Sequence, residues 1–134
     1  MGPLTFYFDR NFGRRFPEAL YRANPPFNVE FHHSPSSRFA HNTTDDRWLS
    51  VAGARGWIVF SHDRKFHKLL PEIAAIMQYN IGCFYLPGAE AETWDKLCLF
   101  VKVAPRIISL AENTTRPFIY NVTKAGHFEQ VPLQ

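Results

Sequence analysis

The chain has 134 residues, a formal net charge of +3, and 46% hydrophobic and 16% aromatic content. That is enough apolar material for one domain with its own core, over residues 1–134, and it excludes a disordered chain. The mild positive charge permits an anionic partner without demanding one.

Leu4–Phe8 is a continuous apolar and aromatic run ending at Asp9, the pattern of a strand buried on both faces. Phe12, Phe16, Ala19, Leu20 and Ala23 recur at helical spacing. Pro17 suits a first turn, so the helix is predicted from about Phe16, and Asn24-Pro25-Pro26 stops it. Phe27, Val29 and Phe31 alternate as in a half-buried strand. Residues 34–44 are polar and aperiodic and read as a loop.

The next helix spans Asp45 to Arg55, with Trp48, Leu49 and Ala52 inward and Gly56 as its stop. Trp57–Phe60 is a second fully apolar strand, running into Ser61-His62-Asp63. Pro71 opens a helix carrying Ile73, Ala74, Ile76 and Met77. Ile81–Leu86 is a fourth strand, closed by Pro87-Gly88. The longest helix begins near Ala89, with Trp94, Leu97, Cys98 and Val101 as its inner stripe, and Pro105 is expected to kink or interrupt it. Phe118–Val122 is a fifth strand, and the residues through Val131 and Leu133 form an edge strand or a tail.

This order, β-α-β-α-β-α-β-α-β, predicts an α/β fold: a three-layer α/β/α sandwich around a central, mostly parallel, five-stranded sheet. The two cysteines, Cys83 and Cys98, have no metal-type spacing and both read as buried thiols, which fits a reducing compartment. No apolar run approaches the roughly 20 residues of a membrane span, so the expectation is a soluble cytoplasmic protein with no membrane partner.

Ligands bind outside the carboxyl ends of strands in such sheets. Asp9 and Asp63 follow strands, and Asp45 with Asp46 opens a helix that starts on the same side. Three segments can thus deliver carboxylates to one crevice. Their mutual repulsion is relieved by a hard divalent cation such as Mg²⁺ or Mn²⁺, which takes oxygen ligands and can act on a phosphodiester. Each acid also has a plainer explanation. Asp9 suits a helix cap, Asp46 closes a capping box with Thr43, and Asp63 suits a solvated turn.

At these residues the sequence resembles the PIN-like domains of the VapC toxin type. The resemblance rests on Phe6–Arg15 (FYFDRNFGRR), Asp45-Asp46-Arg47-Trp48-Leu49, Gly56–Lys65 (GWIVFSHDRK) and Pro117–Ile119 with Val122-Thr123. It covers about residues 4–125, and its specificity lies in order and spacing. It implies a Mg²⁺- or Mn²⁺-dependent endoribonuclease with Asp9, Asp45 and Asp63 as catalytic metal ligands, Asp46 beside them, and Ser61 and Thr44 lining the site. It also implies an antitoxin protein as partner and a homodimer. Lys65 stands where close relatives often carry a further Asp, which favours the alternative of a catalytically weak module that binds RNA or a protein.

Arg10, Arg14, Arg15, Arg64, Lys65 and Lys68 lie near the acids in sequence and could track an RNA backbone, or could form a solvated basic face. His62 and His67 are weaker candidates for phosphate contact, and the six histidines match no zinc spacing. No phosphate loop, nucleophile elbow or Cys/His pair is present. A phosphoryl-accepting receiver would need its paired acids after the first strand, and here they follow the second.

Overall fold

The computed structural model describes residues 3–32, 45–62 and 70–133, and the side chains of Asp45, Asp46 and residues 70–72 lie outside that description. Six strands form one sheet: β1 (Thr5–Phe8), β2 (Asn28–Phe31), β3 (Ile58–Ser61), β4 (Gly82–Tyr85), β5 (Phe118–Val122) and β6 (Phe128–Gln130), in the order β2-β1-β3-β4-β5-β6. The first five are parallel, and β6 runs antiparallel to β5. The helices are α1 (Arg15–Arg22), α2 (Asp45–Arg55), α3 (Leu70–Gln78) and α4 (Thr93–Asn113), with a short 3₁₀ turn at Arg10–Phe12. The α/β architecture and the mostly parallel sheet follow the sequence expectation, but the sheet has six strands rather than five. The extra strand is three residues long, too short for alternation to announce it, and it begins just after a turn around Gly126, whose φ is +88°.

Strand residues alternate between the two faces of the sheet. Phe6, Phe8, Phe60, Phe84 and Phe118 point to one face, where α1 supplies Phe16 and Leu20 and α4 supplies Phe100, Val103, Ile107 and Ala111. Tyr7, Val59, Cys83, Tyr85 and Ile119 point to the other, where α2 supplies Trp48, Leu49 and Ala52 and α3 supplies Ile76. The result is three layers. Gly53 is required where α2 crosses α3, because a Cβ there would lie 2.5 Å from the Tyr79 carbonyl oxygen.

The connections do not all turn the same way. From β2 to β3 and from β3 to β4 the chain crosses on the α2/α3 face. From β4 to β5 it steps in the same direction along the sheet but crosses on the opposite face through α4. From β1 to β2 the chain steps the other way on the α1/α4 face, which is the same hand as the two α2/α3 crossovers, so β4–α4–β5 has the opposite hand to the other three. Such connections are nearly always right-handed, which makes this one the left-handed exception.

Helix α4 also corrects the sequence reading of its own faces. Trp94 and Val101 are 72% and 67% exposed, and Cys98 is exposed, whereas Phe100, Val103, Ile107 and Ala111 are buried. Two apolar stripes compete on this helix, and the phenylalanine layer selects the one that meets it. The helix continues through Pro105, which sits on its exposed side, where a missing backbone donor leaves its partner carbonyl to solvent. No helix among the described residues is long and apolar enough to cross a membrane.

Candidate functional site

At the carboxyl rim of the sheet, register brings polar residues to one level. Ser61 pairs with Tyr85, Tyr85 with Asn121, and Asn121 with Glu129. One residue beyond the last pairs of β1, Asp9 stands next to Ser61 on one side and next to His32 on the other. The level below, on the opposite face, is Phe31, Phe8, Phe60, Phe84 and Tyr120. A polar row thus crosses the sheet immediately above an aromatic one.

Asp9 is only 5% exposed. Its backbone N–H donates to the Phe60 carbonyl at 3.1 Å, which extends the β1–β3 pairing by one residue. Its carboxylate caps the 3₁₀ turn, accepting from the Asn11 backbone N–H at 3.0 Å. The capping explanation of Asp9 therefore holds, without removing the carboxylate from the rim. Alternation directs Asp9 toward the α2/α3 face, and its charge is felt there: the fully buried Cys83 thiol is pushed well up, first by burial and then by Asp9.

Ser61 is completely buried at the end of β3, and its carbonyl accepts from the Leu86 N–H at 2.9 Å. Two residues before Asp9, Tyr7 lies between two tryptophans, with ring centroids 5.3 Å from Trp48 and 5.2 Å from Trp57. Trp48 belongs to the first turns of α2, so this contact fixes the start of α2, where Asp45 and Asp46 enter the helix, over the strand that ends in Asp9. Thr44, Asp63, Arg64, Lys65 and Lys68 lie outside the described residues, as do the Asp45 and Asp46 side chains. Arg10, Arg14 and Arg15 are exposed around the turn that follows Asp9.

His62 turns away from this crevice. Its ring stacks on Phe12 at 3.9 Å, and its Nδ1 lies 2.9 Å from the Leu86 carbonyl oxygen. Burial lowers its pKa, the Leu86 carbonyl opposes this, and the nearby Lys96 lowers it further. This packed imidazole joins the ends of β1, β3 and β4 rather than facing a phosphate. Among the described residues no three His, Cys, Asp or Glu side chains come together as a metal-holding group.

A family model described as a PIN-like domain matches residues 4–88, more than half of the chain. The chain belongs to the PIN-like domain family. No curated protein and no solved structure matches it. The PIN-like match runs from β1 through β4 and takes in Asp9, the start of α2 and Ser61, while α4, β5 and β6 follow it. Sequence reading missed Tyr85, Asn121 and His32 as members of the polar row. Tyr85 sits in an apolar run and shows its level only through register, while Asn121 interrupts an otherwise apolar strand and was a usable signal.

Proposed function

We propose that this PIN-like domain, one domain over residues 1–134, is a metal-dependent endoribonuclease acting as the toxin of a type II toxin–antitoxin pair. The observation that carries the reading is Asp9, a buried carboxylate at the end of a central strand, beside Ser61 and under the first turns of α2. Asp9, Asp45 and Asp63 would hold Mg²⁺ or Mn²⁺, with Asp46 in reserve and Ser61 and Thr44 lining the site. An all-oxygen donor set suits these hard cations, and the negative potential that Asp9 imposes on Cys83 favours a cation nearby. When bound, the ion supplies charge neutralisation and an acidified water at the phosphodiester.

The chain's own residues bind and orient. Arg10, Arg14 and Arg15, joined by Arg64, Lys65 and Lys68, attract RNA phosphates electrostatically. Buried Ser61 and the aromatic layer beneath the polar row keep water from entering behind the carboxylates. The protein works in the cytoplasm as a homodimer restrained by an antitoxin. The test is cleavage of structured RNAs with Mg²⁺, Mn²⁺ or EDTA. Metal-dependent cutting that vanishes in Asp9→Asn and Asp63→Asn supports the proposal, and cutting that survives in EDTA or in both variants refutes it.

A second reading, a catalytically weak module binding RNA or a protein, is favoured by Lys65 in place of an acid and by the structural cap that Asp9 already provides. Folded protein that binds RNA but never cuts it would establish that reading.

A further inference from the structure

We infer that single-stranded RNA leaves the acidic rim along a basic track on α4 and the β5–β6 turn, formed by Lys96, Lys124, Lys102, Arg106 and His127. This deepens the nuclease reading and rests on it.

The track begins at the same rim as Asp9 but on the α1/α4 side of the sheet, so a strand bound at the acids reaches it by passing over the rim. Lys96 shares a recess with Phe12, His62 and Leu86, the residues that tie the ends of β1, β3 and β4 together, and it is close enough to act on the His62 ring. Lys96 also shares the next groove with Lys124, which comes from the β5–β6 turn, and with one acid, Asp95. Beyond it opens a cleft of about 370 Å³ between α4 and the turn, lined by Lys102, Arg106 and His127 with Gly126 and Phe128. No carboxylate lines this cleft among the described residues. A Cβ on Gly126 would lie 3.7 Å from Lys102 Nζ, so the turn rests directly on that side chain. The Arg106 guanidinium is held over the Phe128 ring at 5.8 Å.

Two cations of α4, Lys102 and Arg106, therefore share one concavity with His127 of the turn, and no carboxylate lines it among the described residues. Their repulsion disfavours the arrangement until an anion enters. The turn follows Val122, one residue past the level of Asn121, Tyr85, Ser61 and Asp9, so the cleft lies at the same rim as Asp9, on the α4 side of the sheet. Along the sheet the step from β1 to β5 is three strand spacings, on the order of 14 Å, and passing over the rim adds to it. A short run of nucleotides spans that length, and repeated phosphates match repeated cations. Lys102 and Arg106 lie one turn apart on α4, so both can contact neighbouring phosphates of one strand.

The test compares the wild-type chain with Lys102→Gln/Arg106→Gln and with Arg22→Gln/Arg55→Gln, which removes the same charge at the opposite rim. Binding of an unstructured fluorescent oligoribonucleotide is followed by anisotropy in EDTA over a salt series. The track variant is expected to bind about tenfold more weakly at low salt. Its salt dependence should fall by about 1.4 log units per log unit of salt, two phosphate contacts' worth. The control variant should bind like wild type, and metal-dependent cutting of a dinucleotide should be equal in all three.

Equal weakening in both variants would mean net charge alone and would overturn the inference. So would unchanged binding by the track variant while wild type cuts RNA with metal, an outcome that leaves the nuclease reading intact. A labelled acidic peptide whose binding needs Lys102 and Arg106, when RNA binding does not, would assign the track to a protein and also overturn it. A wild type that neither binds nor cuts RNA removes the nuclease reading first.

Discussion

The two faces of the sheet are made from alternate residues of the same strands, yet they do different work. On the α1/α4 face the rings of Phe6, Phe8, Phe60 and Phe84 run side by side, with centroids 4.8–5.4 Å apart, and Phe100 from α4 closes over three of them. These five side chains carry no polar atom, and Tyr120 stacks on Phe84 at the end of the run, with centroids 5.7 Å apart. On the α2/α3 face Tyr7, Trp48, Trp57, Cys83 and Tyr85 are just as buried, but most carry a polar atom, and the rim above them holds Asp9 and Ser61. The α1/α4 face is filled by phenylalanine, and the buried polar groups Asp9 and Ser61 lie on the other face.

Substitutions can break this division. The largest effect belongs to Phe60→Ala, which empties the centre of the phenylalanine layer. It should cost about 3–5 kcal/mol in urea unfolding, and a loss under about 1 kcal/mol would mean that the layer does not carry the fold. Gly82→Ala comes next, because its Cβ would meet the Phe118 ring at 2.5 Å. A loss of about 1–3 kcal/mol is expected from this overpacking.

On the other face Asp9→Asn should separate the two properties. An Asn side chain still accepts from the Asn11 N–H, so stability without metal should change by under about 1 kcal/mol. The rise in melting temperature that Mn²⁺ gives the wild type should vanish. If Mn²⁺ stabilises both proteins equally, Asp9 is not a ligand.

The cysteines provide a finer probe. Exposed Cys98 should react with a thiol reagent near neutral pH, while Cys83 should stay silent until the chain unfolds. In the fold Cys83 keeps its proton where the unfolded chain loses it. Its contribution is therefore complete below the ordinary thiol range and declines as pH rises through about 9, a decline that Cys83→Ala should remove. The smallest effect is predicted for Trp94→Ser, within about 0.5 kcal/mol, because that ring is already in water.

The division was only partly legible in the sequence. Strands β1, β3 and β4 announced themselves because both of their faces are buried, so their runs are unbroken. Which alternate residues would share a face with α2 was not legible, since Tyr7 and Phe8 look equally apolar until the helices are placed. Helix α4 shows the same limit: Trp94, Cys98 and Val101 satisfy helical spacing as well as Phe100, Val103 and Ile107 do, and only the facing phenylalanines decide. Asp9 stood out because it ends an apolar run abruptly. Ser61 was found through resemblance, and Tyr85 and Asn121 became visible only when register placed them beside it.

The left-handed crossover has one more consequence. The segment that matches the PIN-like family ends at residue 88, before α4 begins. The two helices that cover the tyrosine and tryptophan face, α2 and α3, have been made by then, but the phenylalanine face has only α1. A chain ended there would display a broad sheet of bare aromatic rings beside an unpaired strand edge, and it should precipitate rather than fold. Expressing residues 1–88 alone is thus predicted to yield inclusion bodies, and on the ribosome the nascent protein is at greatest risk of self-association in the interval between completing β4 and releasing α4.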